Sequence, residues 1–348
     1  MTARPVPSTR FRFRPRWWHG VLAGALALLG LGWGLWQQAQ GPVKPGDRAL
    51  VVVTVPAGAS ARQVAALLQQ RGVVRSAWAF LWLAEQQGIA SRLKAGPYQL
   101  SPGWDLKRVV RHLADGDLLL YRVTIPEGLT VMQAVGRLVH AHLGSRRQFL
   151  AVIRRGLPGL SPPAGVRDPM EGFLFPDTYL IPAGTPPAQV IRLMWQDFQR
   201  RTAPLIKELP ADESVWQWVT LASIVQAEDA KPADAPLIAA VFVNRLQQGM
   251  PLQSDATVRY ALDRPVDGRL TLADLGVASP YNTYQHLGLP PGPIDCPGLM
   301  ALEAALHPAH VPYLYFVGTP TGGDLFATTY AQHLANVAKV QAMASSQP

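Results

Sequence analysis

The sequence predicts an α+β protein made of an N-terminal membrane helix, two small α/β units and a mixed α+β domain. Three observations carry this. Residues 17–36, WWHGVLAGALALLGLGWGLW, form a twenty-residue stretch with no Asp, Glu, Lys or Arg. The pattern Val-Thr-aliphatic-Pro-x-Gly-x-Ser/Thr occurs twice, at Val53 and Val123, each time ahead of an amphipathic run. In LASIVQAEDA, residues 221–230, a helical apolar run leads straight into two acids.

Composition bounds what these elements can build. A chain of 348 residues that is 48% hydrophobic has apolar material for two or three domains. Its 32 prolines and 30 glycines call for many turns, without a low-complexity tract. Cys296 is the only cysteine, so no intrachain disulfide can form, and an oxidising compartment is allowed without being indicated. Of the net charge of +9, five units come from Arg4, Arg10, Arg12, Arg14 and Arg16, and the +4 left on the remainder is too weak and dispersed for nucleic-acid binding.

Those arginines precede the apolar twenty. At about 1.5 Å rise per residue such a helix crosses a bilayer core of roughly 30 Å, with tryptophans at both ends as interfacial anchors. Basic residues lie only on the N-terminal side, so the expectation is a single-pass inner-membrane protein with residues 1–16 in the cytoplasm and the bulk in the periplasm. The segment is long for a cleaved signal peptide and WQQAQGP is a weak cleavage pattern, which favours a retained anchor.

After a Pro/Gly linker over 37–49, each copy of the repeat predicts a short strand, a turn at Pro-x-Gly, and a helix capped by Ser60 or Thr130. The first unit is placed at 50–120, continuing through a second helix in AWAFLWLAEQQG and a strand, turn and helix in LKAGPYQLSPGWDLKRVVRHLADGD; the second unit is placed at 121–205. Within the latter, EGFLFPDTYLIP suits either sugar stacking on its rings or a packed edge segment. The last domain, 206–340, opens with a helix from residue 214 and continues with a helix ending at Gly249, a short helix capped by Asp255, a turn-rich aromatic loop, a helix up to Pro308, a buried strand at 313–318, and an exposed terminal helix.

Leu221, Ile224, Val225 and Glu228 recur at i, i+3, i+4 and i+7, so Glu228 extends the apolar face while Gln226 points nearly the opposite way. Asp229 flanks the stripe and Pro232 ends the helix, leaving Glu228 in its last turn. Apolar neighbours and the negative helix end both oppose ionisation and suit a general acid. Position alone leaves a solvated helix end open as well.

The ordered set ASIVQAED, VFVNRLQQGMPLQSD, YNTY, GLPPGPI, ALHP and YLYFV, with EGFLFPDTY and the anchor ahead of it, resembles the endolytic murein transglycosylase family, the YceG-like proteins, over about residues 50–340. The resemblance implies a LysM-like N-terminal region, a catalytic domain with lysozyme-like helical elements, and cleavage of nascent peptidoglycan glycan strands. It places catalysis on Glu228 and shows Gln226 where the family carries a first acid. A lytic transglycosylase needs one carboxyl and neither metal nor cofactor: the acid protonates the glycosidic oxygen, then deprotonates the muramic C6 hydroxyl that closes a 1,6-anhydro ring. A hydrolytic muramidase would need a second carboxylate, for which Asp255, Asp177 and Glu171 are candidates. A non-catalytic peptidoglycan-binding scaffold is the other alternative. Tyr281, Asn282 and Tyr284, with Gln253 and Ser254, are expected to line the cleft. His286, His307, His310 and His333 lack metal-ligand spacing and are read as capping, core or substrate contacts. Glycan strands are the expected partner, with cell-wall synthases as candidates.

Overall fold

The structure is a computed structural model describing residues 17–228, 231, 233–262, 264 and 268–345. The arginines at 4–16, Asp229 and Pro232, which figure in the expectations above, lie outside the described residues. The chain divides into two compact units, Met1–Leu119 and Leu120–Pro348.

The first unit starts with α1 (Trp17–Gln40), a helix long and apolar enough to cross a membrane, whose Leu22, Leu28, Leu29 and Leu31 side chains are exposed. It runs past Trp36, whose ring meets Trp78 and Trp82 edge-on at 5.8 and 4.6 Å. The stretch expected to be a linker is fastened down, because Arg75 donates to the carbonyls of Pro42 and Val43 and Lys44 N–H donates to Pro102. Strand β1 (Val51–Val55) leads through the Pro-x-Gly turn into α2 (Ala61–Gln70), then α3 (Ala77–Gln86), β2 (Gly96–Leu100) and α4 (Leu106–Asp115). The β1–β2 pair is antiparallel, with Val51 opposite Leu100. Val53, Leu68, Phe80, Tyr98 and Leu113 fill its core.

The second unit repeats the order: β3 (Leu120–Thr124), α5 (Val131–His140), α6 (Arg146–Arg155) and β4 (Thr178–Pro182), with β3 and β4 antiparallel and Thr124 opposite Thr178. The sequence echo is thus a structural one. Ser60 and Thr130 both cap as expected, each in a box closed by a glutamine three residues on, Gln63 and Gln133. In EGFLFPDTYLIP packing prevails over stacking on a ligand: residues 171–176 are buried, and Phe173 sits edge-on to Trp195, Phe198 and Trp216.

Helices α7 (Pro187–Ile206), α8 (Val215–Glu228), α9 (Ala235–Gln247), α10 (Asp255–Leu262), the single turn α11 (Leu272–Leu275) and α12 (Leu299–Leu306) follow. The buried apolar side chains of α7, α8, α9 and α12 and those of β3, β4, α5 and α6 form one cluster. Helix α8 is its axis. A Ser214–Gln217 capping box starts it, every residue from Trp218 to Val225 is buried, and Trp218 Nε1 donates to Leu302 of α12 at 2.9 Å. The expected buried strand at 313–318 is shorter and only half-buried: β5 (Tyr315–Gly318) forms a hairpin with β6 (Asp324–Ala327), which the sequence did not suggest. A two-stranded hairpin leaves both edges open, and α13 (Tyr330–Ser345), which packs on it, buries no residue of its own.

Candidate active site

Glu228 ends α8 at the floor of a cavity of about 390 Å³, lined also by Phe242 and Arg245 of α9, Leu252, Gln253, Ser254, Asp255, Tyr284, Phe316, Val317, Gly318 and His333. The floor is built from several chain segments. Asn244 and Arg245, adjacent on α9, reach carbonyls of the chain entering β5: Asn244 Nδ2 donates to Val311 and Tyr313 at 2.8 Å each, and Arg245 Nε to Leu314 at 2.7 Å. Arg245 Nη1 also donates to Leu252 at 2.8 Å, fixing the 251–254 turn. In that turn Gln253 takes a left-handed φ of +51°, with its N–H bonded to Thr283. Thr283 Oγ1 accepts from Ser254 N–H and pairs with Thr257 Oγ1 at 2.8 Å, which ties the loop to the start of α10.

The result aims Ser254 at the acid. Its hydroxyl donates to Glu228 Oε1 at 2.5 Å, and Ala256 N–H, in the first turn of α10, also bonds this carboxyl. Burial pushes the Glu228 carboxyl above the ordinary glutamate range and the charges of Asp255 and Asp324 add to this; the Ser254 and Ala256 bonds pull the other way. The group therefore sits between opposing influences. Its surroundings disfavour charge, yet two donors and the positive end of α10 are in place to receive a carboxylate.

The expected site residues divide. Tyr284, Gln253 and Ser254 line the Glu228 cavity. Tyr281 and Asn282 do not: they are 2% and 0% exposed, with the Tyr281 hydroxyl accepting from Arg167 N–H and Asn282 Nδ2 donating to Leu275 and Val277, so they shape the loop from within. Asp255 is the first residue of α10 and accepts from the Tyr284 hydroxyl at 2.7 Å, in place of the expected cap bond. Of the other acids, Asp177 pairs with Arg201 at 2.6 Å in a separate cavity, and Glu171 lines a third one behind α8. His307 pairs with Glu208, His310 is exposed, and His333 lies in the Glu228 cavity with its ring stacked on Tyr315 at 5.3 Å.

Gln226 leaves the opposite side of α8, as the periodicity required, and is half-buried there: its Oε1 accepts from Gly298 N–H at 2.9 Å. The helix is buried all round from Trp218 to Val225, and both its polar end positions open into cavities. We expect Gln226→Ala to cost about 1 kcal/mol of stability through that lost bond, with turnover little changed. Chemical denaturation alongside an activity assay checks both.

A half-buried carboxyl, held by a hydroxyl and a helix start at the floor of an open cavity, suits general acid–base chemistry. The comparisons with known proteins agree in extent. The family model described as the YceG-like family matches residues 53–339, and the chain belongs to that family. It is 32% identical over 310 residues to the endolytic murein transglycosylase of Bacillus subtilis, covering 84% of this chain and 85% of that protein. A protein of the same name from Streptococcus pneumoniae is 31% identical across 86% of this chain, which spans 60% of that longer relative. The crystal structure of a yceG-like protein from Listeria monocytogenes superposes with a TM-score of 0.57 at 33% identity, over 82% of this chain and 99% of that one.

Proposed function

We propose that this protein is an endolytic lytic transglycosylase that cuts the bond from N-acetylmuramic acid to N-acetylglucosamine in peptidoglycan strands and leaves 1,6-anhydro ends. The observation that carries the proposal is the Glu228 carboxyl, kept protonatable by burial yet provided with donors from Ser254 and Ala256. Neutral Glu228 gives its proton to the glycosidic oxygen as the C1–O bond breaks. The carboxylate left behind is received by the Ser254 hydroxyl and the start of α10, then takes the proton of the muramic C6 hydroxyl while O6 bonds to C1. One group serves both steps, and water is not consumed. Family membership and the names of the relatives support the substrate class.

Tyr284, Gln253 and Ser254 are assigned to the substrate cleft on their place in the cavity. The LysM-like part implied by the resemblance is assigned to the unit with β1, α2, α3 and β2. The 206–340 region is assigned to catalysis, with α1 as a single-pass inner-membrane anchor and everything beyond it periplasmic. A phosphatase fused after Pro348 should then be active, and a reporter that works only in the cytoplasm silent; the reverse would overturn the orientation.

Turnover of purified glycan strands tests the function itself, because a binding scaffold would release no products. Its pH dependence carries the signature of the acid. A general acid must be protonated, so kcat/KM should fall as pH rises through the Glu228 pKa, with a midpoint above the ~4.3 of free glutamate. A midpoint at or below that value would contradict the assignment.

A further inference from the structure

Behind α8 lies a larger cavity, about 670 Å³, that the chemistry above does not use; Gln226, Ala227, Ala256, Glu171, Tyr260 and Asp295 are among its lining residues. Asp295 is 4% exposed and its Oδ1 is buried without a hydrogen-bond partner. Leaving a buried carboxyl oxygen unpaired costs free energy, which marks it as a group awaiting a partner. Nearby Glu171 is different, since Oε1 accepts from Val131 N–H at 2.8 Å and Oε2 from the Tyr260 hydroxyl at 3.1 Å. Asp295 is also fixed in place. The backbone bridge between Leu129 and Cys296 holds it beside Gly128, whose φ of +73° suits a residue without a side chain and whose absent Cβ would sit 3.9 Å from Asp295 Oδ2.

We propose that this cavity is a subsite for an N-acetylated amino sugar of the same glycan strand, read by the Asp295 carboxyl through the acetamido group. Burial pushes the Asp295 carboxyl well above the ordinary aspartate range, which favours its neutral form, and in either form a carboxyl oxygen is an acceptor. The N–H and C=O of an acetamido group point in opposite directions, so Asp295 takes one of them, accepting from the N–H at a carboxyl oxygen. Met132, Ile294, Ala227 and Ala256 supply apolar contacts for its methyl group and the sugar face. The two cavities adjoin at consecutive residues of α8 and α10, which places them within reach of one strand. Ala227 and Ala256 line this one, while Glu228 and Asp255, one residue along each helix, line the other, so the partition there is built from methyl side chains.

This inference rests on the glycan-cleaving function, and the test separates the two. In the full-length chain carrying Glu228→Gln, so that ligand binds without turnover, affinity is measured by calorimetry for N-acetylglucosamine dimers and hexamers and for a de-N-acetylated hexamer. Asp295→Leu should weaken the acetylated hexamer about tenfold, the loss of one neutral donor–acceptor pair, and leave the dimer and the de-N-acetylated hexamer unchanged. Asp295→Asn, neutral and still both donor and acceptor, should bind like the parent. Ala227→Leu, at an exposed position, should raise the partition and reproduce the loss for the hexamer should Asp295→Leu fail to fold. Unchanged hexamer binding in the leucine variants would overturn the subsite, and so would an Asp295→Asn variant as weak as Asp295→Leu, since it keeps the acceptor that the acetamido N–H needs. Failure of the parent to bind any acetylated glycan would sink the function along with the subsite.

Discussion

Glu228→Gln is expected to lower glycan-strand turnover by about a thousandfold to ten-thousandfold, with the fold intact. General acid–base groups typically contribute ~10² to 10⁴ in rate, and here one carboxyl performs both proton transfers. Glutamine keeps the shape and can still accept from Ser254, but has no proton to give at the glycosidic oxygen. Stability should move the other way. Burial raises the folded-state pKa of Glu228, so its stabilising contribution is present below the unfolded pKa and lost as pH rises through the folded one. At pH 7 the parent therefore carries a disfavoured anion that the variant lacks. Thermal melts of the two should show the variant at least as stable at pH 7, with any advantage vanishing near pH 4. An inactive variant that melts far below the parent at pH 7 would mean that Glu228 is structural.

The second large effect falls on a residue whose hydrogen bonds hold the wall of the Glu228 cavity together. Arg245 is 9% exposed, donates to the carbonyls of Leu314, Leu252 and Pro251, and lies 5.2 Å from the Tyr315 ring centre. Arg245→Met should cost on the order of 3 kcal/mol, because methionine fills part of the volume but leaves those carbonyls without a donor. Activity should fall too, since the 251–254 turn that presents Ser254 would lose its tether to α9. Denaturant unfolding and kcat measured on the same preparation would show both losses; an intact kcat in a destabilised but folded variant would mean that the turn holds itself.

These two residues differ in how far the sequence reveals them. The placement of Glu228 was legible because it follows from local periodicity: an acid at i+7 of an apolar stripe faces where the stripe faces. The paired strand–turn–helix units were legible for the same reason, with Ser60 and Thr130 marking both helix starts. Arg245 was not, because its partners lie up to 69 residues away and an arginine on an amphipathic helix ordinarily points to water. Tyr281 and Asn282 misled in the opposite sense. Aromatic and turn-forming residues look like a ligand loop, yet here they form its buried internal scaffold, with Asn282 satisfying carbonyls that the irregular backbone leaves open. Gln226 was placed on the correct side of α8, but the neighbour that receives it, Gly298, is set by tertiary folding. Asp295 gave no local signal, since its unpaired oxygen exists only once the chain has closed around it.

In the proposed mechanism Glu228 acts alone, without a second carboxylate and without water. Asp255 lies in the same cavity and is the residue through which hydrolysis would run, although the Tyr284 hydroxyl already engages it. Mass spectrometry of the products formed from purified glycan strands in ¹⁸O-labelled water decides the matter. The proposed mechanism gives muramyl ends lighter than the hydrolysed form by one water and free of label. Hydrated ends carrying the solvent oxygen would contradict it and make the enzyme a muramidase.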